Sequence, residues 1–380
     1  MSNFIAKTIG PNSPLGRRAS GIFASKKGVE GELDEGGERG EGKDSGGADR
    51  EGEEGEEGGE GGDDVTVLTG PPKVNRSVID PSVIRPANVK TPFGETYSTQ
   101  AFPATSPPAN IFNLRVGPNY KRTGKKAPSG PELYKLDKCD LVQTSTSRLN
   151  VINGSEFQHF VPELSDKVLE GTKIPAQMIV TANLPTDSPS MFSTAENGPS
   201  FVVVFYFSAS DMLVAEAEKV KNGSCVDPGV LLLNKWCSVA ETDRKEMGRF
   251  KAMCIIDDME SHGFPGFISK FNGKPILINR SGTYNAYRVV SGGAGGGGEV
   301  ELAPVEGDTT PTLGVMQVNV HVFAFVARKG LFSMQDKFKD MTLNVGFCIE
   351  GRCDEEQPEV ILGCATLKEM DIEKMIKIDC

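Results

Sequence analysis

From Met316 to Val326 the even positions are apolar (Met316, Val318, Val320, Val322, Ala324, Val326), with Gln317, Asn319 and His321 between them. A period of two predicts a strand with one buried face, and Phe323 and Phe325 bury its far end on both faces. Leu331, Met334, Phe338 and Met341 then recur at three, four and three residues, the spacing of one helical face. Thr342 to Ile349 alternates again as a second strand, and Gly351 begins the turn after it. This strand–helix–strand unit is the stretch around which the chain is expected to be organised.

The same reading upstream predicts strands over Ile111–Val116, Leu133–Val142, Ala176–Leu184, Phe201–Ser208 and Arg249–Ile256, and a short one over Lys274–Asn279. Phe201–Ser208 is almost continuously apolar, which marks a strand buried on both faces. Phe157, Phe160, Val161, Leu164 and Val168 show helical spacing, and Phe264–Phe271 reads as a short helix or turn. Asp227-Pro228 opens a helix with a side-chain cap and a proline in its first turn, carrying Val230, Leu232, Leu233 and Trp236 inward. Ser291–Gly314, which holds Gly295 to Gly298, reads as a flexible surface insertion. The pattern as a whole is α+β, a largely antiparallel sheet with packed helices, preceded by a disordered N-terminal arm.

Composition explains why that arm stands apart. Residues 28–64 contain 16 acidic residues, 3 basic residues and 14 glycines, with almost nothing apolar to form a core. The first 27 residues carry five basic residues and no acid, and the net charge of −11 leaves −3 from Val65 onward. The acidic balance therefore belongs to a tail and says nothing about the folded part. Prolines from Pro71 to Pro108 make residues 65–109 a linker, with Val78, Ile79, Val83 and Ile84 as possible anchors. The expected division is a basic tail over 1–27, an acidic tract over 28–64, this linker, and a single α+β domain over 110–380.

The longest apolar run, Phe201–Phe207, is far shorter than a membrane-spanning helix requires. The eight cysteines form no C-x-x-C pair, and Cys254 and Cys348 sit in apolar runs as small buried hydrophobes. A reducing, cytoplasmic location follows, with peripheral membrane attachment compatible with it. The acid-free N-terminus leaves organelle targeting as the weaker alternative.

Candidate chemistry is sparse. His159, His262 and His321 are the only histidines, and no nucleophile elbow, zinc-protease helix, Walker loop or dinucleotide turn accompanies them. Asp354, Glu355, Glu356 and Glu359 lack the alternating oxygen ligands and turn glycine of a calcium loop. No catalytic residue, cofactor or metal is expected. Arg115, Lys125, Lys126, Arg249, Lys251 and Lys274 are the strongest basic positions. Together they form a candidate site for phosphate headgroups, since each cation near an anionic membrane contributes about 1 kcal/mol. A slightly acidic domain without an aromatic–basic reading motif excludes nucleic acid as the expected partner.

Arg115-Val116-Gly117-Pro118-Asn119-Tyr120, Arg249-Phe250-Lys251, Asn272-Gly273-Lys274-Pro275, Glu356-Gln357-Pro358-Glu359 and Leu362-Gly363-Cys364 occur in that order. Over Asn110 to Asp371 the chain resembles the C-terminal domain of the plant enhanced-disease-resistance-two proteins. The resemblance implies a membrane-associated regulatory domain without established enzymatic activity, one that often follows pleckstrin-homology and START-type lipid modules. About 110 residues precede it here, mostly unfoldable, so neither module is expected. Two departures stand out. Gln317, Asn319 and His321 occupy a late strand that usually carries acids, and Glu-Leu-Pro-Glu becomes Glu356-Gln357-Pro358-Glu359. The expected function is a non-enzymatic regulatory module contacting anionic lipid headgroups. The alternatives are a protein-interaction scaffold without lipid binding, whose partners the sequence does not name, and a hydrolase using His159 or His321.

Overall fold

Twelve strands in two sheets enclose one aromatic core, according to a computed structural model that describes residues 88–90, 96–98, 104–146, 166–191, 196–264, 266–291 and 301–378. In chain order, β1 (Asn88–Lys90) and β2 (Thr96–Ser98) pair only with each other. Next come β3 (Ala104–Thr105), β4 (Asn113–Arg115), α1 (Tyr120–Thr123), β5 (Lys126–Pro128), β6 (Tyr134–Thr144), β7 (Gln177–Pro185) and β8 (Ser200–Ala209). Three helices follow: α2 (Asp211–Lys221), α3 (Pro228–Val239) and α4 (Arg244–Met247). After β9 (Phe250–Ile256) come α5 (Gly266–Ser269), β10 (Ile276–Leu277), β11 (Gly282–Ser291), β12 (Glu301–Pro304) and β13 (Leu313–Asn319). The chain closes with α6 (Phe325–Met334), β14 (Thr342–Ile349), β15 (Ile361–Lys368) and β16 (Ile376–Ile378).

The larger sheet has the order β12-β11-β13-β7-β8-β6-β16 and the smaller one β10-β9-β14-β15-β3. Only β13 with β7 and β16 with β6 run parallel; the other described pairs are antiparallel. The α+β architecture expected from the hydrophobic pattern is thus the one found.

Phe201, Val203, Phe205 and Phe207 of β8 face the smaller sheet, and their neighbours Val202, Val204 and Tyr206 are buried on the opposite face. Burial on both sides explains the unbroken apolar run. Phe347 of β14 meets Phe205 edge-on with ring centroids 5.3 Å apart, and stacks on Phe250 of β9 at 5.7 Å. Trp236 of α3 continues the column, 5.8 Å from Phe250 and 4.6 Å from Tyr284 of β11. Its indole N–H donates to the Glu246 carbonyl at 2.9 Å, so the buried ring leaves no orphan donor. Val230, Leu232, Leu233 and Trp236 are all buried, as the spacing of that helix predicted. Asp227 accepts from the Gly229 amide at 2.8 Å to cap it.

The two sheets approach closely at Gly363, where a Cβ would lie 2.7 Å from the Phe207 ring. This contact gives a physical reason for the glycine in Leu362-Gly363-Cys364. Gly363→Ala should cost about 1–3 kcal/mol through overpacking. The check is a urea midpoint shifted down with its slope unchanged.

Several expectations need correction. The strand predicted to Val326 ends at Asn319, whose side chain accepts from the His321 amide at 3.0 Å and turns the chain into a 3-10 step over Val320–Val322. The helix then starts at Phe325, earlier than Leu331, and gives way to a 3-10 segment over Gln335–Asp340. The strand–helix–strand unit does not build one sheet: β13 lies in the larger and β14 in the smaller, so α6 bridges the layers. Helix α2, capped by Ser210, was not predicted because it buries only Leu213 and Ala217. The supposed insertion over Ser291–Gly314 contains β12 and the start of β13, and β11 precedes it. The helical pattern around Phe157 and the anchors at Val78, Ile79, Val83 and Ile84 lie outside the described residues.

Candidate functional site

The six basic positions singled out in the sequence divide into two groups. Arg115, Arg249 and Lys251 are inside a chain of ion pairs at the end of the smaller sheet where β9 begins and β14 ends. Lys125, Lys126 and Lys274 are exposed.

The internal group runs without a break. Lys235 Nζ lies 2.9 Å from Glu356, and Glu356 takes Arg249 Nη2 at 2.5 Å. Arg249 Nη1 reaches Glu246 at 2.8 Å, and Arg352 joins Glu246 at 3.2 Å to Glu350 at 3.1 Å. Glu350 then takes Arg115 Nη1 at 2.9 Å, Arg115 Nε lies 3.8 Å from Glu359, and Glu359 holds Lys251 Nζ at 2.6 Å. Arg249 also donates through Nε and Nη2 to the Glu350 carbonyl, at 2.8 and 2.6 Å. Lys251 is 1% and Glu359 3% exposed, so neither reaches a headgroup. An ion pair this deep requires every polar atom to be satisfied, and Glu359 accepts as well from the Gly351 amide at 2.9 Å.

Glu356 reports the electrostatics. Burial pushes its carboxyl up, but the Arg352 amide, the Lys235 ammonium and the Arg249 guanidinium outweigh that and hold it down to about 2. A depressed carboxylate stabilises the fold fully above its unfolded value, near 4.5, and loses that contribution as the pH falls toward about 2. Acid unfolding between those limits should therefore be less steep in Glu356→Gln, as thermal melts across that pH range would read.

The network holds something. Strands β4 and β5 pair with Arg115 opposite Lys126, and α1 forms the turn between them. Phe112 and Leu114 root this hairpin in a buried cluster with Met253, Cys348, Ile361 and Cys364 on the outer face of the smaller sheet. Burial pushes the Cys348 and Cys364 thiols up to about 12, and Cys348 sits as the small buried hydrophobe the sequence suggested. The Glu359 amide donates to the Arg115 carbonyl at 3.0 Å, the Asn119 amide donates to Asp354 at 2.8 Å, and the Arg115 guanidinium stacks on Tyr120 at 4.8 Å. The hairpin is therefore fastened beside its turn, at Arg115, Asn119 and Tyr120, and the turn carries Lys121, Arg122, Lys125 and Lys126. All four are exposed, and among the described residues none has an ion-pair partner. Lys121 and Arg122 extend the sequence-predicted set; the basic run that contains them was the signal.

The residues that depart from the resembled pattern have local work. Asn319 Nδ2 donates to the Glu196 carbonyl at 2.9 Å, and the His321 ring lies 2.8 Å from Ser200 Oγ. Burial and the nearby Arg328 lower the His321 pKa, against Asp187. Ser200 is fully buried, and its hydroxyl also donates to the Gly198 carbonyl at 3.0 Å. Gln357 fills a buried position, donating to the Gly351 carbonyl at 3.2 Å, with its Cβ 3.0 Å from where a Gly117 Cβ would stand. His159 lies outside the described residues.

Three of the sequence blocks that carried the resemblance thus meet in one knot: Arg115 with Gly117 and Asn119, Arg249 with Lys251, and Glu356 with Gln357 and Glu359. Neither a curated protein nor a solved structure matches the chain. A family model does, over residues 105–371, the region that contains the β4–β5 hairpin, both sheets' strands from β6 to β15 and the entire ion-pair network, and the chain belongs to the family it describes, Protein ENHANCED DISEASE RESISTANCE 2, C-terminal.

Proposed function

We propose that this domain is a non-enzymatic regulatory module that contacts anionic lipid headgroups on a membrane surface, with the β4–α1–β5 hairpin as its contacting element. The observation that supports this reading is the set of four exposed cations, without an ion-pair partner among the described residues, on the turn of a hairpin rooted by Phe112 and Leu114 and fastened at Arg115 and Asn119. Such cations each contribute about 1 kcal/mol near an anionic bilayer, and a clamped hairpin loses little entropy on docking. Among the described residues no helix is long and apolar enough to cross a membrane, so the contact is peripheral. The location that fits is the cytoplasmic side, where anionic lipids are displayed.

Vesicle cosedimentation tests it. Binding to phosphatidylserine or phosphoinositide vesicles, absent with phosphatidylcholine alone and falling as salt rises, is the expected result. Failure to bind either anionic vesicle at any salt would end the reading and favour a protein scaffold.

Among the described residues, the Ser200–His321 contact is what favours a hydrolase. A hydroxyl buried on a strand and shared with a carbonyl is better explained as an internal stitch between β8 and the turn after β13. His321→Ala should accordingly lower thermal stability while leaving vesicle binding intact.

A further inference from the structure

We infer that the segment Phe271–Leu277 is an apolar wedge that enters the acyl boundary of an anionic bilayer beside the hairpin's headgroup contacts. This rests on the headgroup reading above and adds a second, chemically different contact. Phe271 is 60% exposed, Ile276 43% and Leu277 41%, three large apolar side chains within seven residues. Lys270 and Lys274, both exposed, flank Phe271 in the sequence, and no acidic residue occurs between Glu260 and Glu299. A segment with three exposed apolar side chains, cations among them and no carboxylate of its own matches a surface that is anionic outside and apolar beneath.

The exposure is imposed by the fold and does not come from a frayed end. The Asn272 side chain substitutes for a missing strand: its Oδ1 accepts from the Ile256 amide at 2.7 Å and its Nδ2 donates to the Ile256 carbonyl at 3.0 Å. The Gly273 amide donates to the Cys254 carbonyl at 2.8 Å, and the Lys274 amide closes the turn on the Phe271 carbonyl at 3.0 Å. Gly273 sits at φ +69°, a conformation glycine adopts without strain. These bonds hold Phe271 outward on a tight turn. They also give a use for Asn272-Gly273-Lys274-Pro275, the one sequence block of the resemblance, besides the inter-sheet glycine, that the ion-pair knot does not absorb.

The turn that carries Phe271 borders the cluster in which the hairpin is rooted. Gly273 stands over Ile255, which borders the outer cluster that Phe112 and Leu114 anchor at the hairpin's base. A second copy of the chain fits the wedge poorly, because a symmetric contact would bring Lys270 and Lys274 against their own equivalents. A peptide strand added at β10 would find only the two residues Ile276 and Leu277 to pair with.

The test is a Phe271→Trp probe in the full chain, mixed with phosphatidylserine vesicles whose acyl chains carry bromine. The only native tryptophan, Trp236, is fully buried in the core, so the new emission reads position 271. A blue shift with bromine quenching is expected, and Phe271→Ser should weaken vesicle partitioning about tenfold with an unchanged melting temperature. Ile276→Ser with Leu277→Ser provides an independent variant and should weaken it likewise. Persistent cosedimentation with an unquenched probe and full binding by Phe271→Ser would overturn the wedge and leave the headgroup reading standing. Loss of vesicle binding by the native protein would overturn both. Concentration-dependent self-association that Phe271→Ser abolishes would assign the patch to a second copy and also overturn it.

Discussion

Glu359→Ala is expected to destabilise the domain by about 3–5 kcal/mol, the range for breaking a buried ion pair by removing one partner. The carboxylate serves Lys251 at 2.6 Å, the Gly351 amide at 2.9 Å and the Arg115 amide at 3.4 Å, with Arg115 Nε at 3.8 Å. Removing it orphans an ammonium that is 1% exposed and at least one buried amide. Lys251→Met should cost less, because Glu359 keeps Arg115 and both amides and the methionine fills the lysine's volume. Adding Lys251→Met to Glu359→Ala should recover part of the loss, since the orphaned charge is gone. Urea unfolding of the three variants reads the order directly. Equal losses for the two single variants would mean that the pair acts alone and not as part of a network.

Changing Lys121, Arg122, Lys125 and Lys126 together to glutamine should weaken binding to phosphatidylserine vesicles by about 4 kcal/mol, roughly a thousandfold. All four side chains are exposed, so the melting temperature should stay close to that of the native chain. The salt dependence should flatten in parallel, because screening acts on the same charges. Arg249 and Lys251 belong to a different class despite their chemistry. Neutralising either should change stability and leave the exposed charge of the hairpin as it was. A sequence gives both groups the same letters, and only their carboxylate partners separate them.

Much of the fold could be read from periodicity. The strand Thr342–Ile349 coincides with β14, and the cap at Asp227-Pro228 placed α3 with its four inward residues. Local patterns suffice there, because one face is buried and the other is not. They fail at Val320–Val326, where the alternation continues but an Asn319 side chain turns the backbone. They fail again at β11, where Tyr284 and Ala286 are buried among polar neighbours too mixed to show a clean period. Partition of β13 and β14 into different sheets depends on long-range pairing that no local pattern contains. For the site, Lys125 and Lys126 stood out as basic positions, whereas the clamp beside them did not. Arg115 and Glu359 stand far apart in sequence and meet only in the folded chain.

In the proposed function an internal ion-pair network positions a basic hairpin against anionic lipid. Hydrogen exchange on the native protein with and without phosphatidylserine vesicles tests this most directly. The amides of residues 120–127 should slow markedly on vesicle addition, while the Gly351 and Glu359 amides, already bonded inside the network, should not change. Protein that sediments with the vesicles yet shows no slowing in the hairpin, with protection on another face, would contradict it.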